Sequence, residues 1–183
     1  TTTSIEPSLG LYYEAPPQAG DGDGEQTWIT RSANVVVAVS RVRAGTVLAR
    51  SDHPDEYLLL LPPGVRAELQ TPAQTLAAPG DSLTIVPPGE SRIRLLDDGL
   101  VTRVFSAQAA DLAMAAANAA VYAQGAPGVS PLQAWPMPVG GYCLRNYVLA
   151  DYTDPKFFGR LFRTRHLMIN VFERKAQARD PSK

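Results

Sequence analysis

The sequence predicts a mainly β fold that closes as a barrel, and three observations predict it. Short apolar segments recur at roughly ten-residue spacing with turn chemistry between them. The 16 prolines and 14 glycines are spread along the chain, which suits short strands and tight turns rather than a helical bundle. Only one alanine-rich stretch, 107–123, carries helix-forming composition.

The 183 residues suffice for one domain with a sizeable core, and 45% hydrophobic against 19% charged residues mark a globular chain. A net charge of −1 provides no electrostatic footprint for nucleic acid or an anionic membrane. No apolar run reaches the ~20 residues of a membrane span, and no signal-like segment opens the sequence. A single cysteine, Cys143, excludes an internal disulfide framework. The expectation is a reducing, cytoplasmic setting, with Cys143 an apolar thiol rather than a nucleophile.

Residues 1–26 read as irregular. The Asp-Gly-Asp-Gly run at 21–24 lacks the third acidic position and closing Glu of a calcium loop, so it reads as a surface loop. Segments 28–31 and 34–43 are β-branched strands. After the Ala44-Gly45 turn, 46–50 is a strand, 52–55 a polar corner and 56–61 an apolar strand ended by Pro62-Pro63-Gly64. Segment 65–71 alternates Val65, Ala67 and Leu69 with Arg66, Glu68 and Gln70, as a half-exposed strand does. Strands at 74–77, 82–86, 92–96 and 100–105 continue the series. Helix 107–123 is expected to be capped by Ser106, with Asp111 in an early turn and Gly125 as its stop. A proline-rich connector with Trp135 follows. The remaining expectations are strand chemistry over 142–152, a long strand over 162–173 that contains His166, and a polar tail. The organisation expected is an extension at 1–26, a barrel at 27–106, a helix at 107–124, a connector with C-terminal strands at 125–173, and a linker at 174–183.

The turn Gly80-Asp81, the strand Leu83-Thr84-Ile85-Val86 and the turn Pro87-Pro88-Gly89, with Glu56 upstream, resemble the two motifs of the cupin superfamily, a double-stranded β-helix barrel. The resemblance covers about a third of the chain, residues 45–105. Cupins bind a divalent metal (Fe, Mn, Ni or Zn) through a His-x-His pair, a Glu and a further His. Here Glu56 takes the Glu position. The His-x-His positions fall at 50–52, where no His stands, and His53 is out of phase. The last His position is Arg92, which cannot ligate a metal. The helix, the Trp-Pro connector and the segment 142–173 resemble the bridge of a two-domain bicupin. By that resemblance a second barrel follows Lys183 and carries any metal.

These readings predict a metal-free, degenerate cupin domain with a structural or assembly role. It would pair as a homodimer or dock on a second cupin domain. The alternatives are a cupin-type isomerase, lyase or dioxygenase with its metal elsewhere, and a module binding a sugar acid or other small carboxylate. The ligand-binding candidates are Arg92, Arg94, Glu56 and Tyr57. Arg92 and Arg94 share one strand face and, if that face lines the barrel, can grip a carboxylate; alternatively Arg92 pairs with Glu56 or Asp52. If a metal is held in this chain, the fallback set is Asp52, His53 and Glu56. The ordinary reading of His53 is a polar corner. His166, with no Cys, Asp or Glu at a ligand spacing, reads as a surface or interface residue.

Overall fold

The computed structural model describes residues 10–12, 14–20, 22, 24–152 and 160–172. Nine strands come first: β1 (Glu25–Arg31), β2 (Val35–Val42), β3 (Val47–His53), β4 (Tyr57–Leu61), β5 (Ala67–Gln70), β6 (Thr75–Ala78), β7 (Ser82–Val86), β8 (Gly89–Leu95) and β9 (Gly99–Ser106). Helix α1 (Ala110–Ala115), strand β10 (Arg145–Val148) and the hairpin β11 (Leu161–Arg163) and β12 (Met168–Asn170) follow.

One sheet runs β1-β2-β9-β4-β7-β10 and a second runs β3-β8-β5-β6, both antiparallel. The shared order β2-β9-β4-β7 over β3-β8-β5-β6 is that of an eight-stranded jelly roll. The fold class expected from the sequence is therefore present. Period-two alternation explains how each sheet finds its partner. Ile29, Val36, Ala38, Tyr57, Leu59, Val101 and Phe105 of the first sheet meet Leu48, Ala67, Leu69, Ile93 and Leu95 of the second in one core. The turns are those the sequence marks. Gly89 stands at φ +97, where a side chain is disfavoured, and a Cβ on Gly80 would come within 2.7 Å of the Gly64 backbone nitrogen.

The other side of the first sheet is not left to solvent. Leu58, Leu83 and Ile85 point outward and pack with Leu149, Phe162 and Leu167 in a second apolar cluster. Strand β4 is thus buried on both faces, which is why its sequence is a run of leucines without alternation.

Two expectations are corrected. The alanine-rich stretch is not one helix. Helix α1 ends at Ala115, the next residue, Ala116, is extended with ψ 139°, and a short 3-10 turn (Ala119–Tyr122) follows. The break has a cause: Ala117 N–H donates to the Ile29 carbonyl at 2.8 Å, and the Asn118 amide bonds both backbone groups of Arg31. Together with Gln18 and Ala19, which bond Thr27 and Ile29, these contacts cover the edge strand β1. Ser106 does not cap the helix, because its hydroxyl donates to Asp55. Nor do the described residues 162–172 of the expected strand form a single one; residue 173 lies outside the described residues. Thr164 closes a tight turn, its N–H and Oγ1 bonding Leu167, and His166 sits in that turn rather than in a strand.

Candidate functional site

The polar groups buried inside the barrel come from strand positions in phase with the core. On β9, Val101, Arg103 and Phe105 point inward. Arg103 is 7% exposed and donates through Nη2 to Ser40 Oγ at 3.2 Å. Ser40 Oγ lies 2.6 Å from Thr27 Oγ1, which is 2.6 Å from the Glu25 carboxylate. Glu25 itself lies 3.8 Å from the guanidinium, close enough to pair and too far to hydrogen-bond. A polar chain therefore runs from Glu25, at the end of β1, to Arg103 in the interior. Burial holds the Arg103 pKa below the ordinary arginine value, partly offset by Tyr57 and Glu25.

Next to it stands an aromatic cluster. Tyr57 stacks on Phe105 with centroids 4.8 Å apart, and the His53 ring meets both edge-on at 5.1 and 5.3 Å. The Arg103 and Arg50 guanidinium carbons lie 5.9 and 5.8 Å from the Phe105 centroid. Tyr57 OH shares a 2.8 Å hydrogen bond with Ser91 Oγ, and burial raises its pKa. His53 is 3% exposed, brought inward by a register shift in β3 between Arg50 and His53 with Asp52 at φ +49. Burial first, and then Arg50, pull its pKa down to about 4, so the ring is neutral near neutrality. Arg50 donates to Nδ1 at 3.3 Å. A guanidinium only donates, so Nδ1 is the acceptor and the ring proton sits on Nε2. Nε2 and the Nε of Arg103 are both buried without a hydrogen-bond partner.

The fallback metal set does not assemble. Asp52 is exposed at the bulge, and His53 faces the interior. Glu56, 0% exposed, lies under the C-terminal segment. Its Oε1 accepts from Arg145 Nη2 at 2.6 Å, and its Oε2 from the Arg165 N–H at 2.8 Å. Burial pushes its carboxyl above the usual range, while Arg145 and the Arg165 N–H pull it back. Among the described residues no three His, Cys, Asp or Glu side chains form a group that could hold a metal. The interior offers one imidazole with its outer nitrogen protonated and two guanidinium groups beside it. A divalent cation does not fit that donor set.

Arg92 and Arg94 point away from the barrel, both exposed, with Arg94 3.8 Å from Glu68 on the outer face. Pairing with Glu56 or Asp52 inside is corrected accordingly: the interior arginines are Arg103 and Arg50. Arg103 was legible, as a charge in phase with Val101 and Phe105. His166 has an acid partner that no ligand spacing suggested. It is half-buried, and its Nδ1 lies 2.9 Å from Asp55 Oδ1. Asp55, 2% exposed, also accepts from Ser106 and from the Glu56 N–H. No local spacing could have paired residues 55 and 166.

Neither a family model nor a curated protein matches the sequence. Solved structures do resemble the fold. KdgF from a Halomonas species superposes with TM-score 0.44 and 18% identity, over 54% of this chain and 94% of that one. A cupin superfamily protein from Desulfitobacterium hafniense gives 0.42 and 14%, over 55% and 91%. Bacillus subtilis oxalate decarboxylase gives 0.37 and 16%, over 45% of this chain and 24% of its own. The class of fold rests on the strand order, which is that of a jelly roll.

Proposed function

We propose that this chain is a metal-free cupin domain with a structural and assembly role, one lobe of a larger arrangement. The observation that carries the reading is the position of Glu56. The carboxylate that the resemblance would give to a metal is turned out of the barrel. There it joins Asp55 in tying the C-terminal segment to the sheet, through Arg145, the Arg165 N–H and His166. Residues suited to chemistry are committed to holding two layers together.

Assembly draws support from the surface that this segment presents. Leu161, Met168 and Phe172 on and beside the hairpin are exposed, as are Trp135, Met137, Val139 and Tyr142 in the connector. Apolar side chains that gather into one exposed patch mark interaction surface, and these are the candidates for such a patch. A homodimer, or docking on a second cupin domain, would cover them. Any divalent metal used by the full assembly would then reside in that second domain. No helix among the described residues is long and apolar enough to cross a membrane, which says nothing of a β-barrel span.

Light scattering on the purified chain tests the assembly. The expected mass is twice that of a 19.7 kDa chain, reverting toward the monomer in the double substitution Met168→Glu, Phe172→Glu. A monomer at all concentrations, with no second barrel encoded beyond Lys183, would contradict the reading.

A further inference from the structure

The outer face of the first sheet is covered by two different parts of the chain. The C-terminal segment packs over β4 and β7, whereas over β1 and β2 the cover is a strap of residues 10–12 and 14–18 with the Ala117-Asn118 corner. Between strap and sheet lies a cavity of about 170 Å³, walled by Leu11, Tyr12, Trp28, Thr30, Val39 and Ala117. Alternation puts the strand residues there: Ile29, Val36 and Ala38 fill the core, so the cross-strand pair Trp28 and Val39 faces outward. The strap sits close, since a Cβ on Gly10 would come within 2.8 Å of Thr30 Cγ2, and the indole N–H donates to the Ala15 carbonyl at 2.6 Å. Polar groups of the wall are engaged with backbone: Gln18 Oε1 accepts from the Ile29 N–H, and the Asn118 amide bonds both backbone groups of Arg31. What remains is mainly apolar surface around the volume of one aromatic ring.

Positive charge stands one step along the same face. Arg41 is two residues beyond Val39, about 7 Å along a strand, and its guanidinium carbon lies 5.4 Å from the Trp28 ring centroid. Arg41 and Arg43, both exposed, line a second depression that adjoins the cavity at Tyr12, which lines both. Among the described residues neither guanidinium is in an ion pair. Arg41 gives one N–H to Gln26 Oε1 at 3.2 Å. The acids beside the two arginines have partners of their own: Asp98 accepts from the Ala44 N–H at 2.8 Å, and Glu25 from Thr27 at 2.6 Å.

We propose that this cleft binds a small aromatic carboxylate, its ring between the strap and Trp28 and its carboxylate on Arg41, with Arg43 beside it. The wall selects an apolar ring, and the volume limits it to one. The guanidinium selects the anionic end, since a planar carboxylate matches its fork of donors. Mostly apolar concavities with a few convergent polar groups are where small molecules bind. The inference goes beyond the assembly reading and does not rest on it, because the cleft lies over β1 and β2 and the exposed apolar side chains of that reading lie on the hairpin and the connector.

The chain has two tryptophans, so Trp135→Phe isolates the emission of Trp28. The full chain with that substitution is titrated with 3-phenylpropionate at pH 7.5 and constant ionic strength. The expected result is a saturable change in emission, with a dissociation constant on the order of 1 mM. Phenylpropanamide, the same ring without the charge, and propionate, the charge without the ring, should each bind at least about tenfold more weakly. Arg41→Met should weaken phenylpropionate about tenfold or more. Val39→Phe, which fills the cavity, should abolish the response, and Arg92→Met on the second sheet should leave it unchanged. Should Val39→Phe fail to fold, the exposed Arg41→Met decides. No saturable change in the unsubstituted cleft would overturn the proposal, as would equal binding of acid and amide, or equal losses in Arg41→Met and Arg92→Met. An emission change that follows protein concentration and not the probe assigns the cleft to a second copy, and one that appears only on deletion of residues 1–9 assigns it to the chain's own N-terminus; either overturns it. Light scattering on the same samples shows whether the assembly reading fails with it or separately.

Discussion

At the scale of single residues, His53 shows how much one bulge decides. Had β3 kept its register past Arg50, the ring would have faced solvent; the shift with Asp52 at φ +49 sends it inward. The sequence marked a polar corner there but not the extra residue, since a one-residue slip exchanges the faces of a strand. A pH dependence follows. The folded-state pKa of about 4 lies below the ordinary 6.5, so the folded protein binds fewer protons than the unfolded chain between those values. The contribution is intact above pH 6.5 and is lost as pH falls through 4, on the order of 2 kcal/mol after allowance for solvent. His53→Leu should flatten that part of the curve. Denaturant melts of both proteins at pH 7 and pH 4 measure it; parallel losses would show that His53 is not the group responsible.

Among the elements, strand β4 and its approach carry two jobs. Tyr57, Leu59 and Leu61 fill the barrel, while Leu58 and the preceding Asp55 and Glu56 hold the C-terminal layer. Arg145→Met would leave the Glu56 carboxylate buried with only the Arg165 N–H, and breaking a buried pair costs about 3 kcal/mol. The loss has a sign in pH. Glu56 is already raised, so its ionised form opposes folding as pH rises through the carboxylate range, and removal of Arg145 raises it further. The substitution should therefore be costly at pH 7 and partly recovered near pH 5. Urea unfolding at both values reads this; a cost independent of pH would place the effect in packing. Strands and turns were legible because alternation and Pro-Gly chemistry are local. The clamp was not, because Asp55–His166 and Glu56–Arg145 join residues about a hundred positions apart. The helix misled for a related reason: alanine composition favours a helix, but hydrogen bonds from Ala117 and Asn118 to β1 pull the chain straight.

Over the whole molecule, the jelly roll was readable from spacing, while its contents were readable only in part. Two layers are built on one central sheet, with an interior of aromatic rings and guanidinium groups and an outer face closed by the chain's own C-terminal segment. The central claim is that arginine and a neutral histidine occupy the barrel interior, where the described residues gather no set of metal ligands. Metal analysis of the chain, produced in medium supplemented with Fe, Mn, Ni and Zn and purified without chelator, tests it most directly. The account predicts far less than one equivalent of any of the four, unchanged by His53→Ala. One equivalent of a single metal, lost on His53→Ala, would contradict it.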